Sequence, residues 1–249
     1  MSKIINLNAF KEKGMFELIP KSKKFALNNS YFKNHRRDID PANPFEVYEY
    51  YKQHGELPYK DNPETNEYWL YDCFVEYQKR AGVKNSQYFT PPKTAERIAE
   101  LANTYFSVLL YVTDACCGFG MLTKALRNKY KFIVYGFDND ADMCKLYIEH
   151  AGVICTKNDF TEELDFCDYN IIANPPYETP SLTDFLKWLY CVIYGNGIAI
   201  LLIPQGFMDK KSPKATAEAI NKFTIIHREP MQEPFARTNT RAEIVVLRK

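Results

Sequence analysis

The sequence has little that would indicate a metal centre, a disulfide framework or a membrane span. Its seven cysteines are scattered and no C-x-x-C pair occurs, so neither a zinc ribbon nor a disulfide scaffold is predicted. The four histidines are isolated in sequence, and we predict no metal site. The longest apolar stretch, residues 198–204, has the length of a strand rather than the roughly 20 residues of a membrane helix. The first sixteen residues lack the apolar core of a secretory signal, which favours a cytoplasmic protein and no membrane partner.

Extremes of composition are also absent. The 249 residues are 46% hydrophobic and 25% charged, with 10 glycines and 14 prolines, which excludes a wholly disordered, collagen-like or repeat protein. The length suits one large α/β domain with an extension, or two small domains. We divide the chain into an N-terminal extension, residues 1–85, and a main domain, residues 86–249.

The net charge of +1 conceals a strong charge pattern. Residues 1–37 carry nine Lys or Arg and two Glu, whereas residues 38–76 carry two Lys and ten Asp or Glu. The remaining residues, 77–249, hold 21 basic and 19 acidic groups. The charges of a basic arm and an acidic segment therefore cancel each other, and the main domain that follows is nearly neutral. The small net charge does not exclude a nucleic-acid partner.

The extension shows two short stretches with aromatic residues at helical spacing. Residues 45–51 and 68–77 flank a loop that contains Gly55, Pro58 and Pro63, which predicts two amphipathic helices. Their acidic surroundings repel phosphate, so we interpret them as a small cap on the main domain rather than a base-stacking surface. For the basic arm ahead of them, contact with nucleic acid and simple solvation both stay open.

From residue 91 onward, helical and strand-like patterns alternate. Helices are predicted over residues 91–103, 122–130, 141–150, 182–194 and 213–222. Strands are predicted over residues 108–113, 132–137, 169–173, 198–204, 224–227 and 243–247. This alternation predicts an α/β fold with a largely parallel sheet.

A glycine-containing turn follows the first predicted strand. Asp114 stands near the strand end, and Gly118 and Gly120 precede a helix. Ligands of open α/β sheets bind at the carboxyl ends of the strands, where glycine lets backbone approach a ligand and a carboxylate can accept from a cationic amine. The dinucleotide fingerprint G-x-G-x-x-G is not met because position 123 is Thr, so the turn alone is equally compatible with a plain strand-to-helix connection.

Two further carboxylates follow later strand ends. Asp138 comes twenty residues after Gly118 and could accept from ribose hydroxyls, although an exposed helix cap would look the same. Asp159 is followed by Phe160, a pair that could accept from an exocyclic amine and stack on a purine. Each feature is weak by itself.

The residues Asn174-Pro175-Pro176-Tyr177 stand directly after an apolar strand-like run. Two prolines fix the backbone and remove two N–H donors, which leaves acceptors without local partners. The Asn174 side-chain oxygen and the Pro175 carbonyl could both accept from one planar amino group, and Tyr177 offers a ring face for stacking a flat substrate. The alternative is a proline turn that only caps a strand. It does not explain why the glycine turn, Asp138 and Asp159 also stand at successive strand ends upstream of this motif.

In this combination, residues 86–249 resemble the S-adenosylmethionine-dependent DNA adenine-N6 methyltransferases in which the cofactor motifs precede the catalytic motif. The resemblance implies a Rossmann-like α/β fold with a mostly parallel seven-stranded sheet, helices on both faces and a mainly helical N-terminal extension. It implies S-adenosylmethionine as cofactor, bound by Tyr88, Phe89, Thr90, Pro91, Asp114, Gly118, Gly120, Asp138, Asp159 and Phe160. It implies Asn174, Pro175, Pro176 and Tyr177 as catalytic residues. Residues 235–241 are similar to the family's late loop, which helps to hold the target base.

The implied reaction is direct in-line methyl transfer to the amino group of adenine in DNA, for which proximity and hydrogen bonds to the amine supply the acceleration. No covalent nucleophile is needed, so Cys116 and Cys117 are interpreted as packing residues. The Asn-Pro-Pro-Tyr motif also occurs in relatives that act on RNA adenine or protein glutamine, and these alternatives stay open. A further alternative is an inactive, methyltransferase-like binding subunit.

Target recognition departs from the family pattern, because no stretch has the size of a usual recognition domain. Specificity is then expected from residues 1–85, from a separate specificity subunit or other protein partner, or to be relaxed. Tyr177, Lys210, Lys211, Arg237 and Arg241 are candidate substrate contacts, with Lys214 as a further cation. For each of these cations, ordinary solvation is the competing interpretation.

Overall fold

A computed structural model describes residues 44–54, 68–82, 87–106, 111–161, 167–236 and 238–249. The basic arm and Arg237 lie outside these described residues, so the expectations for them stay predictions.

Seven strands form one sheet in the order β3-β2-β1-β4-β5-β7-β6. The strands are β1 Tyr111–Ala115, β2 Ile133–Asp138, β3 Cys155–Lys157, β4 Asp168–Ala173, β5 Ile193–Pro204, β6 Thr224–Pro230 and β7 Ala242–Arg248. The pairs β3–β2, β2–β1, β1–β4 and β4–β5 are parallel, whereas β7 is antiparallel to both β5 and β6. The mostly parallel seven-stranded sheet is therefore confirmed.

The central strands β1 and β4 and most of β5 are buried, because both faces of the sheet are covered. The helices are α1 Pro44–His54, α2 Trp69–Ala81, α3 Pro92–Tyr105, α4 Met121–Lys129, α5 Ala141–Ala151, α6 Thr179–Val192 and α7 Lys214–Ile220. One apolar cluster packs α6 and α7 on one face, and a second packs α3 and α4 on the opposite face. None of the helices in the described ranges is long and apolar enough to cross a bilayer.

Local sequence signals account for several helix boundaries. Pro92 occupies the first turn of α3, where its missing N–H costs nothing. The Asp140 side chain caps α5 by accepting from the backbone N–H groups of Asp142 and Met143. Gly152 ends the same helix in the left-handed conformation.

Three of the differences from the sequence prediction have a clear structural reason. The first strand was expected to end at residue 113 but continues to Ala115, because its pairing with β2 and β4 extends that far; residues 108–110 of the predicted strand lie outside the described residues. Helix α6 gives way to β5 at Ile193, since Ile193 already pairs with Asp168 of β4. The three-residue strand β3 was not predicted, because two of its three side chains are exposed and leave no apolar pattern.

The two helices expected in the extension are present and pack on the main domain. Residues of α1 and α2 share an apolar cluster with the loop after β1 and with helices α4 and α5. The division of the chain at residue 85 stays a prediction.

Candidate active site

The candidate site lies at the carboxyl ends of β1 and β4, where the strand order reverses. Crevices at such a switch point are the usual ligand sites of open α/β sheets. A cavity of about 240 Å³ opens there. Its lining includes most of the residues expected from sequence: Tyr88, Phe89, Thr90, Asp114, Gly118, Asp138, Asp159, Phe160, Asn174, Pro175, Pro176 and Tyr177.

Two of the predicted cofactor residues do not line this cavity. Pro91 is buried as the residue that precedes α3. Gly120 has a φ of +87°, and a Cβ built there would lie 2.7 Å from the Tyr147 ring. Gly120 is thus needed where α5 packs against the loop, whereas Gly118, with a φ of +52° and only Phe89 atoms 3.8 Å away, faces the cavity side.

The Asp114 carboxylate is fully buried beside the cavity. Its Oδ2 accepts from the Thr123 hydroxyl at 2.7 Å, and that hydroxyl lies 2.7 Å from the Tyr147 hydroxyl. Its Oδ1 has no hydrogen-bond partner within the described part of the chain. Burial raises the pKa of Asp114 to about 8, an effect that the bond from Thr123 only partly offsets. A ligand with a cationic donor could give this unpaired oxygen a hydrogen bond.

Backbone donors fix the Asp138 carboxylate at the end of β2. The Gly118 N–H donates to its Oδ2 at 2.8 Å and the Asp140 N–H to its Oδ1 at 3.0 Å. Burial nevertheless raises the pKa of Asp138 above its ordinary value. The carboxylate therefore links the glycine loop to the start of α5 and holds both against the cavity.

Asp159 is held from two sides. The Thr161 N–H and hydroxyl donate to its Oδ1 at 2.9 and 3.0 Å, and the Asn139 amide donates to its Oδ2 at 3.2 Å. Partial burial alone would raise the pKa of Asp159, but these hydrogen bonds outweigh it and lower the pKa. The adjacent Phe160 ring packs edge-on against Phe185, with centroids 5.3 Å apart. Asp159 thus stays an ionised acceptor next to a fixed ring.

The Asn174 amide is oriented by the segment before α3. Its Nδ2 donates to the Tyr88 carbonyl at 2.7 Å and to the Thr90 hydroxyl at 3.3 Å. Because a carbonyl can only accept, the nitrogen must face Tyr88 and the oxygen must point away from it. Asn174 Oδ1 has no protein partner among the described residues and remains available as an acceptor at the cavity.

Tyr177 and Phe235 form an aromatic pair beside Asn174. Their ring centroids are 5.8 Å apart at 69°, and the Tyr88 ring lies 5.7 Å from Phe235. The Tyr177 hydroxyl is buried with no partner within the described part of the chain, and burial raises its pKa well above the ordinary value. Phe235 thus brings the late loop next to the Asn174–Tyr177 segment.

Four of the predicted substrate cations lie in the described part of the chain, and none of these four lines the cavity. Lys210 donates to the Thr179 hydroxyl at 2.7 Å and lies 4.8 Å from the centre of the Phe207 ring. Lys211, Lys214 and Arg241 are exposed. Their proposed contacts with substrate stay predictions.

The cysteines near the site are free thiols, of which Cys117 is buried and Cys116 partly exposed. Cys117 and Cys155 have their sulfur atoms 3.5 Å apart, and burial raises the pKa of Cys117 to about 12. Burial also raises the pKa of Cys116 well above its ordinary value. Within the described ranges, no group of three or more His, Cys, Asp or Glu side chains could hold a metal ion.

Several residues of the site carry no sequence signal. In the sequence, Thr123 served only to exclude a dinucleotide fingerprint. In the structure its hydroxyl donates a hydrogen bond to Asp114. Phe119 lies between the two glycines and lines the cavity, and Tyr147 occupies the space beside Gly120. A pattern search finds none of these roles, because they depend on contacts between distant elements.

The strand order, the reversed β7 and the crevice at the switch point define a Rossmann-like fold of the class I methyltransferase type. The solved structures of this fold that resemble the chain share little sequence with it. A protein from Listeria monocytogenes assigned as a class I S-adenosylmethionine-dependent methyltransferase has a TM-score of 0.61 at 15% identity, over 75% of this chain and 68% of that one. A protein from Pyrococcus horikoshii assigned as an RNA methyltransferase has a TM-score of 0.52 at 19% identity, over 66% and 87%.

A third solved structure covers more of the chain. It is a modification subunit of a protein from Vibrio vulnificus YJ016 assigned as a type I restriction enzyme, with a TM-score of 0.55 at 14% identity. The match spans 82% of this chain but 53% of that subunit. No family model matches the sequence, and no curated protein matches it.

Proposed function

We propose that the protein transfers a methyl group from S-adenosylmethionine to the exocyclic amino group of adenine in DNA. The observation that carries the proposal is the fixed Asn174 amide. Its nitrogen is held by Tyr88 and Thr90, so an acceptor oxygen stands at the wall of a cavity that also holds the Asp114 carboxylate. A planar amino group needs such an acceptor, and a cofactor with a cationic amine needs such a carboxylate.

The residues of the cavity fit the cofactor. The Asp114 Oδ1, once ionised, would accept from the α-ammonium group, since a buried polar oxygen without a hydrogen-bond partner is costly. Asp138 would accept from the ribose hydroxyls, and Asp159 with Phe160 would bind the adenine ring. When bound, S-adenosylmethionine supplies an electrophilic methyl group on a sulfonium.

The catalytic residues would then act by orientation and by hydrogen bonding. The Asn174 Oδ1 and the Pro175 carbonyl would accept from the two N–H groups of the substrate amine and direct its lone pair along the transfer axis. As the nitrogen gains positive charge, these acceptors stabilise it more strongly than in the ground state. The Tyr177 ring, which Phe235 supports edge-on, would offer one face for stacking the flat base.

Support for DNA comes from two sources. The segment Tyr88-Phe89-Thr90-Pro91 resembles a motif of DNA adenine methyltransferases, and it contacts Asn174 directly. The structurally similar modification subunit comes from a protein assigned as a type I restriction enzyme. This similarity favours nucleic acid as substrate and further subunits as partners. An adenine in a duplex would have to be flipped into the cavity, at a cost of a few kcal/mol of unstacking.

A labelled-methyl transfer assay on DNA, RNA and protein pools tests the proposal. We expect label in DNA adenine with the natural chain and none above background with Asn174→Ala, while the Asn174→Ala chain still binds S-adenosylhomocysteine in calorimetry. Asn128→Ala, an exposed change on α4, serves as the matched control and should transfer normally.

Label in RNA or protein alone would assign the same chemistry to another substrate class and overturn the DNA proposal. A fully active Asn174→Ala chain would overturn the proposed mechanism. No transfer by a chain that binds no cofactor would favour an inactive binding subunit.

A further inference from the structure

The aromatic side chain Phe74 of α2 reaches the loops that form the proposed cofactor cavity. Its ring stacks on that of Phe119, with centroids 4.8 Å apart and an interplanar angle of 7°. It also lies 4.7 Å from the Phe89 ring, which is itself 4.7 Å from Phe119. Phe89 and Phe119 line the cavity, whereas Phe74 does not. The extension thus supports the cavity wall from behind.

The ring of Phe89 continues this contact to the glycine loop. A Cβ placed on Gly118 would find Phe89 as its nearest neighbour, at 3.8 Å. Phe74 is 2% exposed and Phe119 is 1% exposed, so neither ring can shift without opening a gap in close-packed surroundings. A change in the position of α2 therefore reaches the backbone that approaches the cofactor.

A polar chain makes a second, independent connection. The buried Gln78 amide of α2 donates to the Gln87 carbonyl at 2.9 Å, and the Gln87 amide donates to Asp140 Oδ2 at 3.4 Å. The Asp140 N–H in turn donates to Asp138 Oδ1 at 3.0 Å. This chain joins α2 to the carboxylate assigned to the ribose.

We propose that α1 and α2 are coupled to the cofactor site, with Phe74 and Gln78 as positioning residues for the cofactor loops. Coupling of this kind is reciprocal: docking of the helix pair strengthens cofactor binding, and the cofactor stabilises the docked pair by the same factor. Any partner that binds the helix pair would then change cofactor affinity without entering the cavity. The proposal rests on the cofactor named under the proposed function.

Calorimetry with S-adenosylhomocysteine measures the first half of this coupling. Phe74→Leu keeps an apolar side chain but removes the stacked ring, and Gln78→Met keeps the shape but removes the amide donor. Each is expected to weaken binding at least fivefold, the lower end of ordinary coupling. In transfer assays both should raise the KM for the cofactor and leave kcat at saturation within about twofold, because neither residue touches the substrate.

Phe132→Leu is the matched control. Phe132 is also a buried ring, but it packs with Phe106 and Tyr130 away from the cavity. It should change thermal stability about as much as Phe74→Leu and leave the Kd within twofold. Equal weakening by both changes would indicate general loosening and overturn the positioning role.

Hydrogen exchange measures the second half. Saturating S-adenosylhomocysteine should slow amide exchange in residues 69–81 of the natural chain at least fivefold, and Phe74→Leu should reduce this protection. The coupling alone would be overturned if S-adenosylhomocysteine binds but does not change the exchange rate in α2, and if its Kd is the same in both variants as in the natural chain. A natural chain that binds no S-adenosylhomocysteine would overturn the proposed cofactor and the coupling with it.

Discussion

Binding of the cofactor at pH 7 is expected to release about 0.9 proton from Asp114. Burial raises the pKa of this carboxyl to about 8 in the free protein, so at pH 7 it is about nine-tenths protonated. An ammonium group placed on the unpartnered Oδ1 favours the ionised form and expels that proton. The release should fall to about 0.5 proton at pH 8 and about 0.1 at pH 9. Since the proton opposes binding, the affinity should rise nearly tenfold between pH 6 and pH 7.

Isothermal titration with S-adenosylhomocysteine in buffers of different ionisation enthalpy counts these protons directly. Asp114→Asn has a similar shape but no titrating group, so it should show only the uptake of about 0.1 proton by the ligand's own α-amino group at pH 7. The difference between the two chains is then the Asp114 contribution. Tight binding to the natural chain at pH 7 with the same proton count as Asp114→Asn would refute the assigned role of this carboxylate.

Two further changes test the packing around the site. Gly120→Ala places a Cβ 2.7 Å from the Tyr147 ring at a φ of +87°, so thermal unfolding should show a loss of about 3 kcal/mol from left-handed strain and overpacking together. Gly206 has a φ of +79° but no atom within 4 Å of an added Cβ, so Gly206→Ala should lose only about 1 kcal/mol of stability, from backbone strain. Equal losses of stability in the two variants would contradict the predicted clash at Gly120. Tyr177→Phe removes a buried hydroxyl that has no partner, so stability should hold or rise by about 1 kcal/mol and methyl transfer should persist. A marked loss of transfer in Tyr177→Phe would show that the hydroxyl takes part in the reaction.

The sequence predicts the α/β alternation well because short apolar stretches recur between helical patterns, most clearly in β5. β5 contains seven consecutive buried residues, 197–203, and such a run has few other structural solutions. β3 escapes prediction for the opposite reason. It is three residues long, and only Cys155 of the three is buried, so its pairing with β2 leaves no periodic pattern.

The positions of the site residues can be predicted from the sequence, whereas their protonation and orientation cannot. Asp114, Asp138 and Asn174 lie at or next to the carboxyl ends of their strands. Parallel strands bring these ends to one edge of the sheet, so the sequence alone predicts that the three residues lie close together. The state of each group cannot be deduced in this way. The raised pKa of Asp114 depends on complete burial, and the orientation of Asn174 depends on a carbonyl 86 positions away.

The ring of Tyr147 has a consequence for how this sequence can vary. A Cβ at either Gly120 or Gly136 would come within 2.7 Å of it, and its hydroxyl meets the Thr123 hydroxyl that holds Asp114. Positions 120, 136 and 147 therefore share one volume and must change together. Among homologues we expect larger residues at 120 or 136 only where position 147 is smaller, and such sequences need another donor to replace the chain from Tyr147 through Thr123.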